Sequence, residues 1–225
     1  MSEVRQQVFN FAVRASLGGE DYLVGPSNRD AVAWLDKWPD WPGPSLIIHG
    51  PAGCGKSHIA NVQLARCAGV LVTPALLKEA GLSDILERAS HCVVDDADAG
   101  FEEEDLLHLY NGLAAAGGTL LLTAKVSPAR WNSQLKDLDS RLKAAASVEI
   151  RQLDDDLLKA VLAKQFSDRQ LLVDQDVISY AAKRMERSLA EVRSIVDGAD
   201  KLSLVEGRKV TMPLIRDVLA VTSTG

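Results

Sequence analysis

The chain has 225 residues, 47% hydrophobic and 25% charged, enough to bury one large core or two smaller ones. Its net charge of −6 and pI near 5.3 lack the positive field of an autonomous DNA-binding domain. No run of 18 apolar residues and no basic-then-apolar leader occurs, so a cytoplasmic protein without a membrane span is expected, and three cysteines without C-x-x-C spacing argue against a disulfide framework or a zinc site.

In chain order, residues 1–15 lie ahead of the folded core and read as an extended tail. Trp38 to Ser45, with Pro39, Pro42 and Pro44, is a linker-like stretch leading into the first buried strand. Short apolar strands are then expected at Leu46 to His49, Val70 to Thr73, His91 to Asp95, Leu120 to Thr123 and Val148 to Ile150. Helical stretches alternate with them, the first from Ser57 to Cys67, and this alternation predicts an α/β fold with a five-stranded parallel sheet. After Arg151 the character changes. Asp154 to Gln165, Asp174 to Met185, Ser188 to Leu204 and Met212 to Val221 are helical in period; Leu189, Val192, Ile195, Val196, Ala199 and Leu202 recur at spacings of three or four. The expected division is a tail over 1–15, an α/β nucleotide-binding base over 16–150 and a small all-helical lid over 151–225.

The first strand runs into Gly50-Pro51-Ala52-Gly53-Cys54-Gly55-Lys56-Ser57, which fits the phosphate-loop pattern G-x-x-x-x-G-K-[ST]. A polyphosphate is held by successive backbone N–H groups curled around it, and the glycines permit the curl and the close approach. Lys56 is expected on the β- and γ-phosphates, the Ser57 hydroxyl on Mg²⁺, and the helix starting beneath, with His58 in its first turn, adds its positive end. The third strand ends in Asp95-Asp96. Two carboxylates there suit one metal ligand, assigned to Asp95, and one group orienting an attacking water, assigned to Asp96; alone, they would equally suit a solvated loop start.

Taken together, Tyr22-Leu23-Val24-Gly25-Pro26-Ser27-Asn28, the phosphate loop, the Asp95-Asp96 strand, Thr119 to Pro128 and Leu138-Asp139-Ser140-Arg141-Leu142 resemble the ordered motifs of the DnaA branch of the AAA+ ATPases. The resemblance spans nearly the whole chain and implies a P-loop NTPase base followed by a helical lid. It places Leu23, Val24 and Asn28 beside the adenine of ADP or ATP and makes Arg141 an arginine finger. The stretch ending in Thr123 resembles the first sensor, but Lys125 stands where the family has an acid. The second-sensor arginine falls at Ala190, between Arg187 and Arg193; the alternatives are that one of those neighbours substitutes or that the sensor is absent.

DnaA initiators continue into a helix-turn-helix domain, whereas this chain ends at Gly225 directly after the last lid helix, and Pro74 to Ser90 is shorter than the insertion with which initiators grip single-stranded DNA. No direct specific DNA binding is expected. In the tail, Gln6-Gln7-Val8-Phe9-Asn10-Phe11 resembles the peptides that bind the replicative sliding clamp, the β subunit of DNA polymerase III, with Gln6 as anchor and Phe9 and Phe11 as apolar plugs. The same phenylalanines could instead pack on the chain's own core. A lone DnaA-type module with such a tail resembles the Hda-type regulatory inactivators of DnaA. The implied function is a nucleotide-bound regulator of replication initiation that docks on the DNA-loaded clamp and stimulates ATP hydrolysis by DnaA. Weak hydrolysis of its own and assembly into a homo-oligomer are further expectations. The alternatives are a DnaC-like or IstB-like helicase loader or transposition ATPase, and a stand-alone ATPase.

Overall fold

The computed structural model describes residues 12–14 and 22–222. The described residues fall into two compact units, one over 13–151 and one over 152–222 together with Ala12.

In the first unit a short ribbon pairs β1 (Ala12–Arg14) with β2 (Tyr22–Val24). The main sheet comprises β3 (Ser45–His49), β4 (Val70–Leu71), β5 (His91–Val94), β6 (Thr119–Ala124) and β7 (Ala146–Glu149) in the order β4-β5-β6-β3-β7. Every pairing is parallel; Ile47 lies opposite Leu122 on one side and Ser147 on the other. Parallel neighbours need crossovers. These are supplied by α2 (Lys56–Cys67), α3 (Pro74–Arg88), α4 (Glu103–Ala115) and α5 (Lys136–Ala144), while α1 (Arg29–Asp36) precedes the sheet.

Strands covered on both faces read as unbroken apolar runs, as Leu46-Ile47-Ile48 does, and their side chains alternate between two cores. Leu46, Ile48, Val93 and Leu121 face a cluster with Ala31 and Leu35 of α1 and Ile59 and Ala60 of α2. Ile47, Cys92, Val94, Leu120 and Leu122 face the opposite cluster, with Ile85 of α3, Leu109 and Leu113 of α4, and Leu138 and Leu142 of α5. Each fully buried Leu or Ile contributes about 2 kcal/mol relative to exposure. The five-stranded parallel sheet flanked by helices is the architecture the alternating pattern predicts, with strand limits shifted by one or two residues.

Two local departures have physical causes. β5 stops at Val94 rather than Asp95, because Asp96 takes a left-handed backbone (φ 49) that no strand can continue. α3 is broken at Gly81, whose φ of 77 and ψ of 159 divide it into two short turns of helix; a side chain would strain at that φ although the space around the position is open.

The second unit holds α6 (Asp155–Asp168), α7 (Gln175–Ala182), α8 (Leu189–Glu206) and α9 (Met212–Thr222). Asp154 caps α6 by accepting from the N–H of Leu157 at 2.8 Å, and Ser188 caps α8 from that of Glu191 at 3.1 Å. Its core is Leu158, Leu162 and Phe166 of α6, Ile178 and Ala181 of α7, Val192, Ile195 and Val196 of α8, and Leu214 and Ile215 of α9. Gly198 lets α9 close on α8, since a Cβ there would lie 2.8 Å from Val218. Among the described residues, no helix is long and apolar enough to cross a membrane.

Candidate functional site

The site is built where β3 turns into α2. The Gly50 N–H donates to the Ala124 carbonyl at 3.1 Å, and that of Ile150, just past β7, to the His49 carbonyl at 2.8 Å, so the loop starts from a fixed point between two neighbouring strands. A Cβ on Gly50 would stand 2.1 Å from the Ile150 carbonyl oxygen, which leaves only glycine there. Gly53 (φ 73) and Gly55 (φ 107) use backbone angles that side chains resist and curl the chain over the start of α2. Unlike α6 and α8, α2 has no side-chain cap. No capping side chain therefore covers the start of the helix, which is the arrangement that receives an anion.

Lys56 is 5% exposed, and its ammonium donates to the carbonyls of Gly50 at 2.8 Å and Pro51 at 2.9 Å. Pro51, Ala52 and Ser57 are exposed, whereas Cys54 is buried beneath the loop, where burial raises its thiol pKa against the opposing effect of Lys56. His58 stacks on Tyr22 at 5.1 Å between ring centroids, linking the start of α2 to β2. Beyond β2, the Asn28 amide donates to the Leu23 carbonyl at 2.9 Å and its oxygen accepts the Gly25 N–H at 2.8 Å, closing a compact loop that carries Leu23 and Val24. The Arg151 guanidinium donates to the Pro26 carbonyl at 2.8 Å and holds that loop against the end of β7.

The paired acids follow β5. Asp95 accepts from the Thr123 hydroxyl, whose oxygen in turn accepts the Asp96 N–H at 2.9 Å. Thr123 is fully buried at the end of β6, so a neighbouring strand fixes the turn that presents both carboxylates. The sequence signal was a hydroxyl closing an all-apolar strand, Leu120-Leu121-Leu122-Thr123. Lys125 is exposed and its side chain takes no acid's place; its backbone N–H instead donates to Asp98 at 2.7 Å. Asp98, which pins the loop after β6, carried no sequence signal beyond general acidity.

The fold thus gathers Leu23, Val24, Asn28, Gly53, Gly55, Lys56, Ser57, His58, Asp95 and Asp96 at the carboxyl edge of one sheet. Arg141 is not brought to that loop. It lies on α5, in the helical layer opposite α2, with its guanidinium 5.5 Å from the centre of the Tyr110 ring and its Nε donating to Asp137 at 3.1 Å. In the second unit, Ala190 and Arg193 are exposed on α8, and Arg187 is engaged with Asp155 at 2.6 Å. Gln6, Phe9 and Phe11 lie outside the described residues. Among the described residues no three His, Cys, Asp or Glu side chains are grouped to hold a metal ion by themselves. An ion at Ser57 and Asp95 would need further oxygen ligands from a bound polyphosphate and water.

Residues 154–219 match the family model described as the lid domain of Hda. The chromosomal replication initiator protein DnaA of Campylobacter jejuni is 22% identical over 232 residues, covering 89% of this chain and 51% of the initiator; the chain spans about half the length of these relatives. An uncharacterized protein of Haemophilus influenzae is 27% identical over 192 residues, 80% of this chain and 83% of that protein. Among solved structures, domain III of Thermotoga maritima DnaA superposes with a TM-score of 0.75 at 18% identity, over 88% of this chain and 93% of the other. AMPPCP-bound DnaA of Aquifex aeolicus gives 0.65 at 20% identity, over 86% and 66%.

Proposed function

For this chain, a DnaA-related AAA+ protein of Hda type, we propose the role of a regulator of chromosome replication initiation that docks, nucleotide-bound, on the DNA-loaded sliding clamp and stimulates ATP hydrolysis by DnaA through Arg141. The observation that carries the mechanism is the placement of Arg141, in the helical layer opposite its own phosphate-loop helix and therefore suited to another subunit's nucleotide. The lid match over residues 154–219 supports the regulatory assignment.

ADP or ATP would be held by Pro51 to His58, with Leu23, Val24 and Asn28 beside the base. The uncapped start of α2, the glycine curl and the buried Lys56 ammonium fit a polyphosphate, and similarity to an initiator solved with AMPPCP supports a nucleoside triphosphate or its product. Ser57 and Asp95 would hold Mg²⁺, which supplies charge neutralisation on the phosphates. Asp96 would orient water. Its own hydrolysis is expected to be weak. Gln6, Phe9 and Phe11 would anchor the chain on the clamp, in the cytoplasm.

The test is a reconstitution with ATP-loaded DnaA, clamp loaded on DNA, and this chain, following conversion of ATP to ADP on DnaA. The reading expects acceleration only when chain and loaded clamp are both present. Capture of the replicative helicase with no clamp binding and no acceleration would replace it with a loader function.

A further inference from the structure

The surroundings of Arg141 contain more than the finger reading requires. Arg141 stands in the last turn of α5, between Leu138 and Leu142, which are buried against α4. Its guanidinium carbon lies over the ring of Tyr110 of α4, 5.5 Å from the ring centre, and Tyr110 is only 8% exposed and flanked by Leu106, Leu109 and Leu113 of the same helix. One turn earlier on α5, Asp137 accepts from Nε. Among the described residues neither terminal nitrogen of Arg141 has a hydrogen-bond partner.

This pattern differs from an ordinary helix ion pair, in which a carboxylate takes the terminal nitrogens and the side chain remains mobile. Here the ring attracts the guanidinium from one side while the carboxylate holds Nε at 3.1 Å. The outer edge, with both terminal NH₂ groups, is the edge that matches two oxygens of a phosphoryl group. An arginine ordered in advance loses less entropy when a partner's nucleotide arrives and acts at once on the charge that develops there.

We propose that Tyr110 and Asp137 are positioning residues that hold Arg141 in a presented conformation for the γ-phosphoryl group of a partner's nucleotide. The proposal rests on the reading of Arg141 as the finger and adds the two residues that aim it. Lysine could meet the ring or Asp137 but has no second pair of donors left to offer once its single ammonium is held.

The experiment uses the full chain with ATP-loaded DnaA and DNA-loaded clamp, measuring hydrolysis against regulator concentration for Tyr110→Leu, Tyr110→Phe and Asp137→Ala, each alone and combined with Arg141→Ala. Tyr110→Leu and Asp137→Ala should each lower maximal stimulation about fivefold, the scale of a cation–π or charged hydrogen bond, with the half-saturating concentration unchanged. Tyr110→Phe keeps the ring face and should retain wild-type stimulation. Neither change should matter further in the Arg141→Ala background. In the isolated protein, the Nε–H proton of Arg141 should give a sharp, slowly exchanging NMR signal that broadens in Tyr110→Leu and Asp137→Ala. Full or increased stimulation by Asp137→Ala, a surface change that cannot disturb the core, would overturn the positioning role while leaving the finger intact. Normal stimulation by Arg141→Ala would instead overturn the finger reading itself.

Discussion

Lys56 is the one buried Lys, Arg, Asp or Glu among the described residues, and its neighbours are neutral carbonyls rather than a carboxylate. A buried ammonium without a counter-charge is costly unless an anion completes the site, so the position argues for a bound phosphate. Lys56→Ala should weaken ADP binding by about tenfold or more, as expected for a hydrogen bond to a charged group, and should lower the melting temperature reached in saturating ADP. Calorimetry that finds ADP affinity unchanged would remove Lys56 from the site. At the other end of the sheet, His91 is 1% exposed and burial pushes its imidazole down to about 4. Thr119 accepts the Trp38 indole N–H at 2.9 Å and pairs with Nδ1 at 2.7 Å, while Nε2 is buried without a partner. The folded state thus binds fewer protons than the unfolded one between about pH 6.5 and 4. The stabilisation from neutral His91 is complete above that window and falls as pH drops through it, by up to about 3 kcal/mol. Denaturant titrations at pH 7.5 and 5 should show this loss, and His91→Leu should remove most of it. The glycines and Lys56 were legible in the sequence because their spacing reflects a backbone requirement. His91 was not, since a histidine opening an apolar strand gives no sign that two tryptophans, Trp38 and Trp41, will close over it.

At the scale of elements, the strands were legible because burial on both faces forces continuous apolar runs. Their ends were not. β4 was expected through Thr73, and the Val72 N–H does donate to the Val93 carbonyl at 2.8 Å, but the regular ladder closes at Leu71 because Thr73 caps α3 by accepting from Leu76. The break in α3 was hidden for a related reason, because an isolated glycine in a helical pattern signals neither a break nor its absence. Thr123 shows what pairwise reading of motifs misses. Asp95 and Asp96 were read from one segment, whereas the hydroxyl that fixes them comes from a strand 27 residues further on. The tail is the element whose role rests on the hexapeptide alone. If the proposed clamp contact is right, replacing Phe9 and Phe11 together with alanine should abolish clamp binding and leave the melting temperature nearly unchanged, because side chains that bind a partner add little to the chain's own core. A large loss of stability with clamp binding intact would show that the phenylalanines pack on the chain itself.

For the molecule as a whole, charge and architecture point the same way. Residues 1–150 hold 13 Lys and Arg against 19 Asp and Glu, and residues 151–225 hold 12 of each, so neither part offers a net positive field to phosphates. Affinity for free duplex DNA at physiological salt should be negligible in a gel-shift titration; submicromolar, salt-sensitive binding would favour a loader. In the proposed function, DNA is reached through the clamp and chemistry is exerted on another protein's nucleotide. That last claim is tested most directly by Arg141→Ala in the reconstituted reaction with DnaA, DNA and clamp. The variant should bind nucleotide and clamp as the wild type does yet lose stimulated hydrolysis on the order of 10³-fold, the scale of an arginine finger, and Arg141→Lys should restore little of it. Normal stimulation by the alanine variant would contradict the account.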